Sequence, residues 1–226
     1  MKRFTEDPRQ GHTGGKILPL ILLLDTSRSM EGQPLNQMIL GLKEFGSIAK
    51  NDPTARERMD ICVITFSGEI TNVLPFCSLQ NYTIPHLAAD GTTSMNQAIE
   101  AALDILEDRL AYYRAAGLQW FRPSLFLLTD GWATDPDREN TAVSRMHQYL
   151  TNKRLTYIPM AIGPHADRDA LKRYFPPDTV NKYVLSASAT NFHEFFCWGS
   201  NLGCNILHTA PGESVSLPPL PVSISI

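Results

Sequence analysis

Cysteine is scarce in this sequence: the four residues Cys62, Cys77, Cys197 and Cys204 form no CxxC pair. That excludes a zinc ribbon or a CxxC redox motif and leaves buried, reduced thiols as the reading. The six histidines, His12, His86, His147, His165, His193 and His208, are scattered, with neither HExxH nor a pair at ligand spacing, so no histidine-based metal site is signalled. Walker A, GxGxxG and GxSxG are all missing; Ser27 is flanked by Thr26 and Arg28 rather than by glycines. Nucleotide-binding and α/β-hydrolase readings lose their main signals with them. Charge of one sign is lacking too, with 20 Lys+Arg against 23 Asp+Glu, which gives no global drive toward nucleic acid or an anionic membrane. The apolar run from Ile17 to Leu24 is broken by Pro19 and ends in Asp25 without an AxA-like cleavage site. It falls far short of the roughly 20 residues that span a bilayer, so neither a membrane helix nor a signal peptide is expected and a cytoplasmic location is.

What is present fits one α/β domain. At 226 residues with 43% hydrophobic and 19% charged content, the chain suffices for one large core and is short for two. The organisation expected is an N-terminal tail over 1–15, a domain over 16–204 and a Pro-rich C-terminal extension over 205–226. Ile17 to Leu24 reads as a central strand buried on both faces. From Pro34 to Lys50, apolar residues at Leu35, Met38, Ile39, Leu42, Phe45, Ile48 and Ala49 recur at helical spacing. Asp60 to Ser67 and Ile70 to Phe76, separated by Gly68-Glu69, read as a hairpin, so one strand runs antiparallel. Ser94 to Ala115 keeps helical period, and Ser124 to Thr129 is another apolar strand stopped by Asp130-Gly131. A helix follows from about Asp137 to Thr151, then a strand at Leu155 to Ile162, a short helix at Asp167 to Tyr174, a strand at Tyr183 to Leu185 and a helix at Asn191 to Leu202. The segment from Pro211, with Pro218, Pro219 and Pro221, reads as extended or mobile. Strands alternating with helices imply a doubly wound, Rossmann-like, mostly parallel sheet with one antiparallel edge strand and helices on both faces. Ligands bind such sheets beyond the carboxyl ends of the strands. The loops after Leu24, Thr129 and Ile162 are therefore where a site is expected.

Directly after the first strand stands Asp25-Thr26-Ser27-Arg28-Ser29-Met30, a DxSxS pattern with one carboxylate and two hydroxyls on alternate residues. These are hard oxygen ligands, and Mg²⁺ takes about six such oxygens at roughly 2.1 Å while keeping several waters. Thr129-Asp130-Gly131 sets a second carboxylate at another strand end, and Gly91-Thr92-Thr93-Ser94 supplies hydroxyls ahead of a helix. Each piece alone is an ordinary turn or cap; three in order, each at a strand end or helix start, point to a metal.

DxSxS, Gly-Thr-Thr and Thr-Asp-Gly together resemble the metal-ion-dependent adhesion site of von Willebrand factor A domains, and the span from Ile17 to Leu202 fits that family's element order. The resemblance implies a von Willebrand factor A fold and an Mg²⁺ or Mn²⁺ site lined by Asp25, Ser27, Ser29, Asp130 and Thr93, with Thr92 as the alternative threonine. It also implies a non-enzymatic module that binds a protein partner through an acidic residue presented to the ion. The stretches DTSRSMEGQPLNQMILGL, ITFSGEI and FRPSLFLLTDGWATD, with the tail PGESVSLPPLP, are similar to the bacterial TerY-like group. That group is named for tellurite-resistance clusters, and its members occur beside kinases and phosphatases. Two rivals remain open: a scaffold whose metal lies away from the partner, and a phosphatase-like enzyme. The second is disfavoured because a haloacid dehalogenase pattern needs DxD and Ser27 stands at its second Asp. Arg28 reads as solvent-facing or as a contact to a partner carboxylate. Trp132 reads as an interface anchor or as packing.

Overall fold

The computed structural model describes residues 14–210 and 212–226, so the expected tail over 1–15 lies, up to residue 13, outside the described residues. Seven strands and six helices follow in the order β1 (Leu18–Asp25), α1 (Gln33–Asn51), α2 (Pro53–Arg58), β2 (Met59–Phe66), β3 (Ile70–Ser78), α3 (Met95–Ala115), β4 (Ser124–Thr129), α4 (Glu139–Thr151), β5 (Thr156–Ile162), α5 (Arg168–Arg173), β6 (Leu185–Ala187), α6 (Glu194–His208) and β7 (Ile224–Ser225). They form one sheet in the order β3-β2-β1-β4-β5-β6-β7. The pairs β1–β2, β1–β4, β4–β5 and β5–β6 are parallel, and β3 is the antiparallel edge strand.

β1 is apolar throughout because both its faces are covered. Leu18, Leu20, Leu22 and Leu24 enter the core shared with α1 and α6, while Ile21 and Leu23 enter the core shared with α3 and α4. The α1 stripe Met38, Leu42, Phe45 and Ala49 is fully buried, as its spacing predicts. A glycine sets how closely α1 meets α6: a Cβ on Gly41 would lie 2.1 Å from the Phe196 ring, so a larger residue there would push the helices apart.

Four features differ from the sequence reading. α2 was not expected; it is six residues opened by Asp52, whose carboxylate accepts from Thr54 and Ala55 N–H at 2.8 and 3.0 Å, and too short to show a period. The strand expected at Tyr183 to Leu185 is shifted to Leu185–Ala187, and the helix expected at Asn191 to Leu202 spans Glu194–His208. The C-terminal segment, expected extended or mobile, folds back over α6. Trp198 Nε1 donates to Pro218 O at 3.0 Å, Asn205 Nδ2 donates to Ser216 O at 2.8 Å, and β7 pairs antiparallel with β6 as a second antiparallel edge. Beneath this strap lies an apolar cavity of about 560 Å³ lined by Ile158, Leu185, Trp198, Leu202 and Leu217. It holds none of the carboxylates singled out above.

Strand order reverses between β1 and its two parallel neighbours β2 and β4. The loops leaving β1 and β4 therefore splay apart at the same sheet end and open a crevice there.

Candidate metal centre

Asp25 is the last residue of β1 and has no exposed surface. One carboxylate oxygen accepts from Ser27 N–H at 2.8 Å and the other from Thr129 Oγ1 at 2.5 Å. Burial, opposed by those hydrogen bonds and reinforced by the charge of Asp130, pushes its carboxyl up to about 6. Ser27 is buried and Ser29 exposed, with their hydroxyls 3.1 Å apart, and Ser29 Oγ donates to Asp130 Oδ1 at 2.8 Å. Burial also raises the Asp130 carboxyl, against the Ser29 hydrogen bond and the nearby His165. The oxygens of Ser27, Ser29 and Asp130 are thus successive neighbours at close to 3 Å, the edge length of an octahedron with roughly 2.1 Å metal–oxygen bonds.

The two threonines point different ways. Thr93 is buried, and a Cβ built on Gly131 would lie 3.5 Å from its Oγ1, whereas the exposed Thr92 turns its Oγ1 toward Gly68 in the β2–β3 turn. Of the residues singled out in the sequence, Asp25, Ser27, Ser29 and Asp130 are joined by hydrogen bonds directly or through Ser29, and Thr93 stands against the Asp130-Gly131 turn. Thr92 does not join them.

Backbone hydrogen bonds stitch the loops together. Arg28 N donates to Gly91 O at 3.2 Å, Asp90 N to Thr26 O at 2.9 Å and Thr26 N to Phe66 O at 2.8 Å. Gly91 takes φ 75°, a conformation that strains other residues, and a Cβ there would lie a tight 3.0 Å from Gly68 N, so both the backbone and the space favour glycine.

The sequence reading missed the residues that lock the third loop. Thr134 receives Thr93 N–H on its Oγ1 at 3.1 Å and returns its own N–H to Thr93 O at 2.9 Å. Asp135 accepts from Asn96 N at 3.2 Å and Gln97 N at 2.8 Å. It caps α3 from 38 and 39 residues along the chain, where Ser94 provides no side-chain cap. The sequence carries a faint signal: two hydrogen-bonding residues directly after Thr-Asp-Gly-Trp-Ala, ahead of the next helix.

Among the described residues no Lys or Arg pairs with Asp25 or Asp130, and Arg28 instead lies 3.7 Å from Asp90 with both side chains largely exposed. Nor, among the described residues, do three or more His, Cys, Asp or Glu side chains gather to hold a metal. The donor set is hydroxyl-rich and oxygen-only, which suits a hard cation rather than a thiolate- or imidazole-seeking one.

A doubly wound α/β domain with hydroxyls and carboxylates gathered at the switch point of its sheet is the class that fold and loops define. Within that class the chain belongs to a family: the von Willebrand factor type A domain model matches residues 20–196. Comparison with curated proteins gives no match. Among solved structures, the chain is similar to the von Willebrand factor domain of the type V pili tip protein Mfa5 from Porphyromonas gingivalis (12% identity, 89% of this chain and 99% of that one, TM-score 0.63). It is similar to the proximal thread matrix protein 1 of the mussel byssus with a zinc-occupied MIDAS motif (16% identity, 85% and 45%, TM-score 0.52). It also resembles the manganese-loaded TRAP protein of Plasmodium vivax (18% identity, 77% and 69%, TM-score 0.53). The chain spans about half the length of the mussel protein. At these identities the likeness establishes the fold. Among the described residues no helix is long and apolar enough to cross a membrane.

Proposed function

We propose that the protein is a metal-dependent protein-binding module, in which Asp25, Ser27, Ser29, Thr93 and Asp130 hold Mg²⁺ or Mn²⁺ directly or through water and the ion accepts a carboxylate oxygen from a partner. The observation that carries this reading is an imbalance: two carboxylates, one fully buried, stand among hydroxyls, and among the described residues no Lys or Arg pairs with either. A divalent cation removes that imbalance. It supplies an electropositive anchor, and the chain's own residues fix its place and leave one side open to solvent. The proposed role is binding, not catalysis.

The narrower assignment is to the TerY-like group, with a cytoplasmic setting and a kinase or phosphatase encoded nearby as the acidic partner. It rests on the stretches DTSRSMEGQPLNQMILGL, ITFSGEI and FRPSLFLLTDGWATD. A second reading makes the metal structural and puts the partner on the C-terminal strap. It is favoured by the exposed Leu217, Val222 and Ile226, at 69%, 106% and 58%.

The test is calorimetric titration of Mg²⁺ and Mn²⁺ into the protein, Asp25→Ala and Asp130→Ala, followed by capture from native lysate in magnesium and in EDTA. Metal binding lost in both variants, with capture lost in EDTA, supports the first reading. Unchanged metal affinity in both variants removes it. Capture that survives EDTA moves the interface to the strap, and chelator-sensitive phosphatase activity would restore the enzymatic alternative.

A further inference from the structure

Beside the metal loops lies a second feature that the reading above does not use. Trp132, two residues beyond Asp130, is 66% exposed, an unusual placement for the largest apolar side chain. Its ring borders a partly open cavity of about 200 Å³, lined also by Pro136, Tyr174, Glu139, Asp167 and Arg173. One arginine faces two carboxylates there, and its Nε is engaged by Glu139 at 2.8 Å. Asp167 accepts Ala170 N–H at 2.9 Å as the cap of α5, and no ion pair to it is seen among the described residues. Tyr174 registers the surplus: after burial, the charges of Glu139 and Asp135 raise its hydroxyl more than Arg173 lowers it. The lining is therefore aromatic and net negative.

We infer that this cavity receives an arginine side chain from the same partner segment whose carboxylate reaches the metal, with the guanidinium stacked on Trp132 and directed at Asp167. The inference rests on the metal-dependent binding proposed above. Charge complementarity selects the occupant: an apolar side chain would shut two carboxylates away from water with a single cation between them, and an acidic one would add to the surplus. Between the basic residues, a planar guanidinium stacks on an indole face and donates at its edge in one pose, which a compact, strongly hydrated ammonium does less well. The partner segment is thus zwitterionic, with an acidic residue for the ion and a basic one for the pocket, while Arg28 and Asp90 on the other side of the metal loop pair with each other.

The probes are short fluorescent peptides with one fixed glutamate, glycine elsewhere, and Arg, Gln or Leu scanned through the flanking positions, titrated against the full chain in magnesium and in EDTA. At one offset, arginine should bind roughly 3- to 30-fold more tightly than Gln or Leu in magnesium. Trp132→Ala should bring that ratio close to one, and Trp132→Phe should keep part of it. Asp167→Asn, which preserves the α5 cap, should also reduce it. Magnesium-dependent binding with no arginine preference at any offset, or a preference untouched by both Trp132→Ala and Asp167→Asn, overturns the inference and leaves the metal reading standing. Peptides that fail to bind while calorimetry still detects magnesium overturn carboxylate recognition itself, and the arginine pocket with it.

Discussion

Two aspartates sit at opposite ends of adjacent parallel strands, and both are fully buried. Asp60, near the start of β2, receives Arg109 Nε at 2.7 Å and Nη2 at 3.0 Å and also the hydroxyl of Tyr113, while the guanidinium packs over the Phe76 and Tyr113 rings. Asp25, at the end of β1, receives only neutral donors and is held up to about 6 chiefly by its own burial. The fold pairs one buried carboxylate with a basic side chain and, among the described residues, pairs the other with none. The first arrangement serves stability, and the second is the one that the proposed cation would complete.

The largest expected effect lies at the complete end. Arg109→Leu strands the Asp60 carboxylate in the core and should destabilise the protein by about 3 to 5 kcal/mol, read from denaturant midpoints and independent of magnesium. Replacing both Asp60 and Arg109 by leucine should lose less than the sum of the single changes, because no lone charge remains. If Arg109→Leu proves neutral, the supposed contrast between the two ends disappears.

At the incomplete end the sign reverses. Asp25→Asn removes a buried carboxylate that has no cation, so the metal-free variant should melt no lower than the parent. Magnesium at 100 times its dissociation constant should stabilise the parent by about 2.7 kcal/mol and the variant not at all. A metal-free Asp25→Asn protein as unstable as Arg109→Leu would mean that Asp25 is a structural residue like Asp60.

The two ends were not equally legible in the sequence. Asp25, Ser27, Ser29 and Asp130 stand out because strand-terminating polar residues after apolar runs form a local pattern, and that pattern also fixed β1, β4 and the direction of the sheet. Arg109 carries no such local signal, since its partner lies 49 residues away and no spacing rule links them. Thr134 and Asp135 were missed for the same reason: their hydrogen bonds run across loops to Thr93, Asn96 and Gln97. β7 is two residues long in a Pro-rich segment, too short to show alternation.

Between these extremes lies the support of the third loop. Thr134→Val removes the acceptor for Thr93 N–H, and Asp135→Ala uncaps α3 at the turn that carries Thr93. Residues that orient ligands without touching the ion commonly change metal affinity by about 10- to 100-fold. Calorimetry should find a loss near the lower figure in each, with Thr134→Ser close to the parent because the hydroxyl is kept. Equal magnesium affinity in Thr134→Val and the parent would show that Thr93 needs no such holding.

The smallest expected effect is the sharpest test of which threonine belongs to the site. Thr92 and Thr93 are adjacent and chemically identical, so composition and local sequence cannot separate them; only burial and direction do. Thr93 is 6% exposed and faces Gly131, whereas Thr92 is exposed and faces Gly68 across the hairpin turn. Thr92→Ala removes a hydroxyl that water replaces, and it should change stability by no more than about 0.5 kcal/mol and leave magnesium affinity unaltered. Thr93→Ala deletes a buried oxygen beside Asp130 and should weaken magnesium binding at least as much as Thr134→Val does. Since both substitutions remove one methyl and one hydroxyl, differences in helix propensity and unfolded-state behaviour largely cancel between them. The difference in affinity therefore reports position alone. A larger loss from Thr92→Ala than from Thr93→Ala would exchange their roles and require the Gly91 loop to turn over when the ion binds.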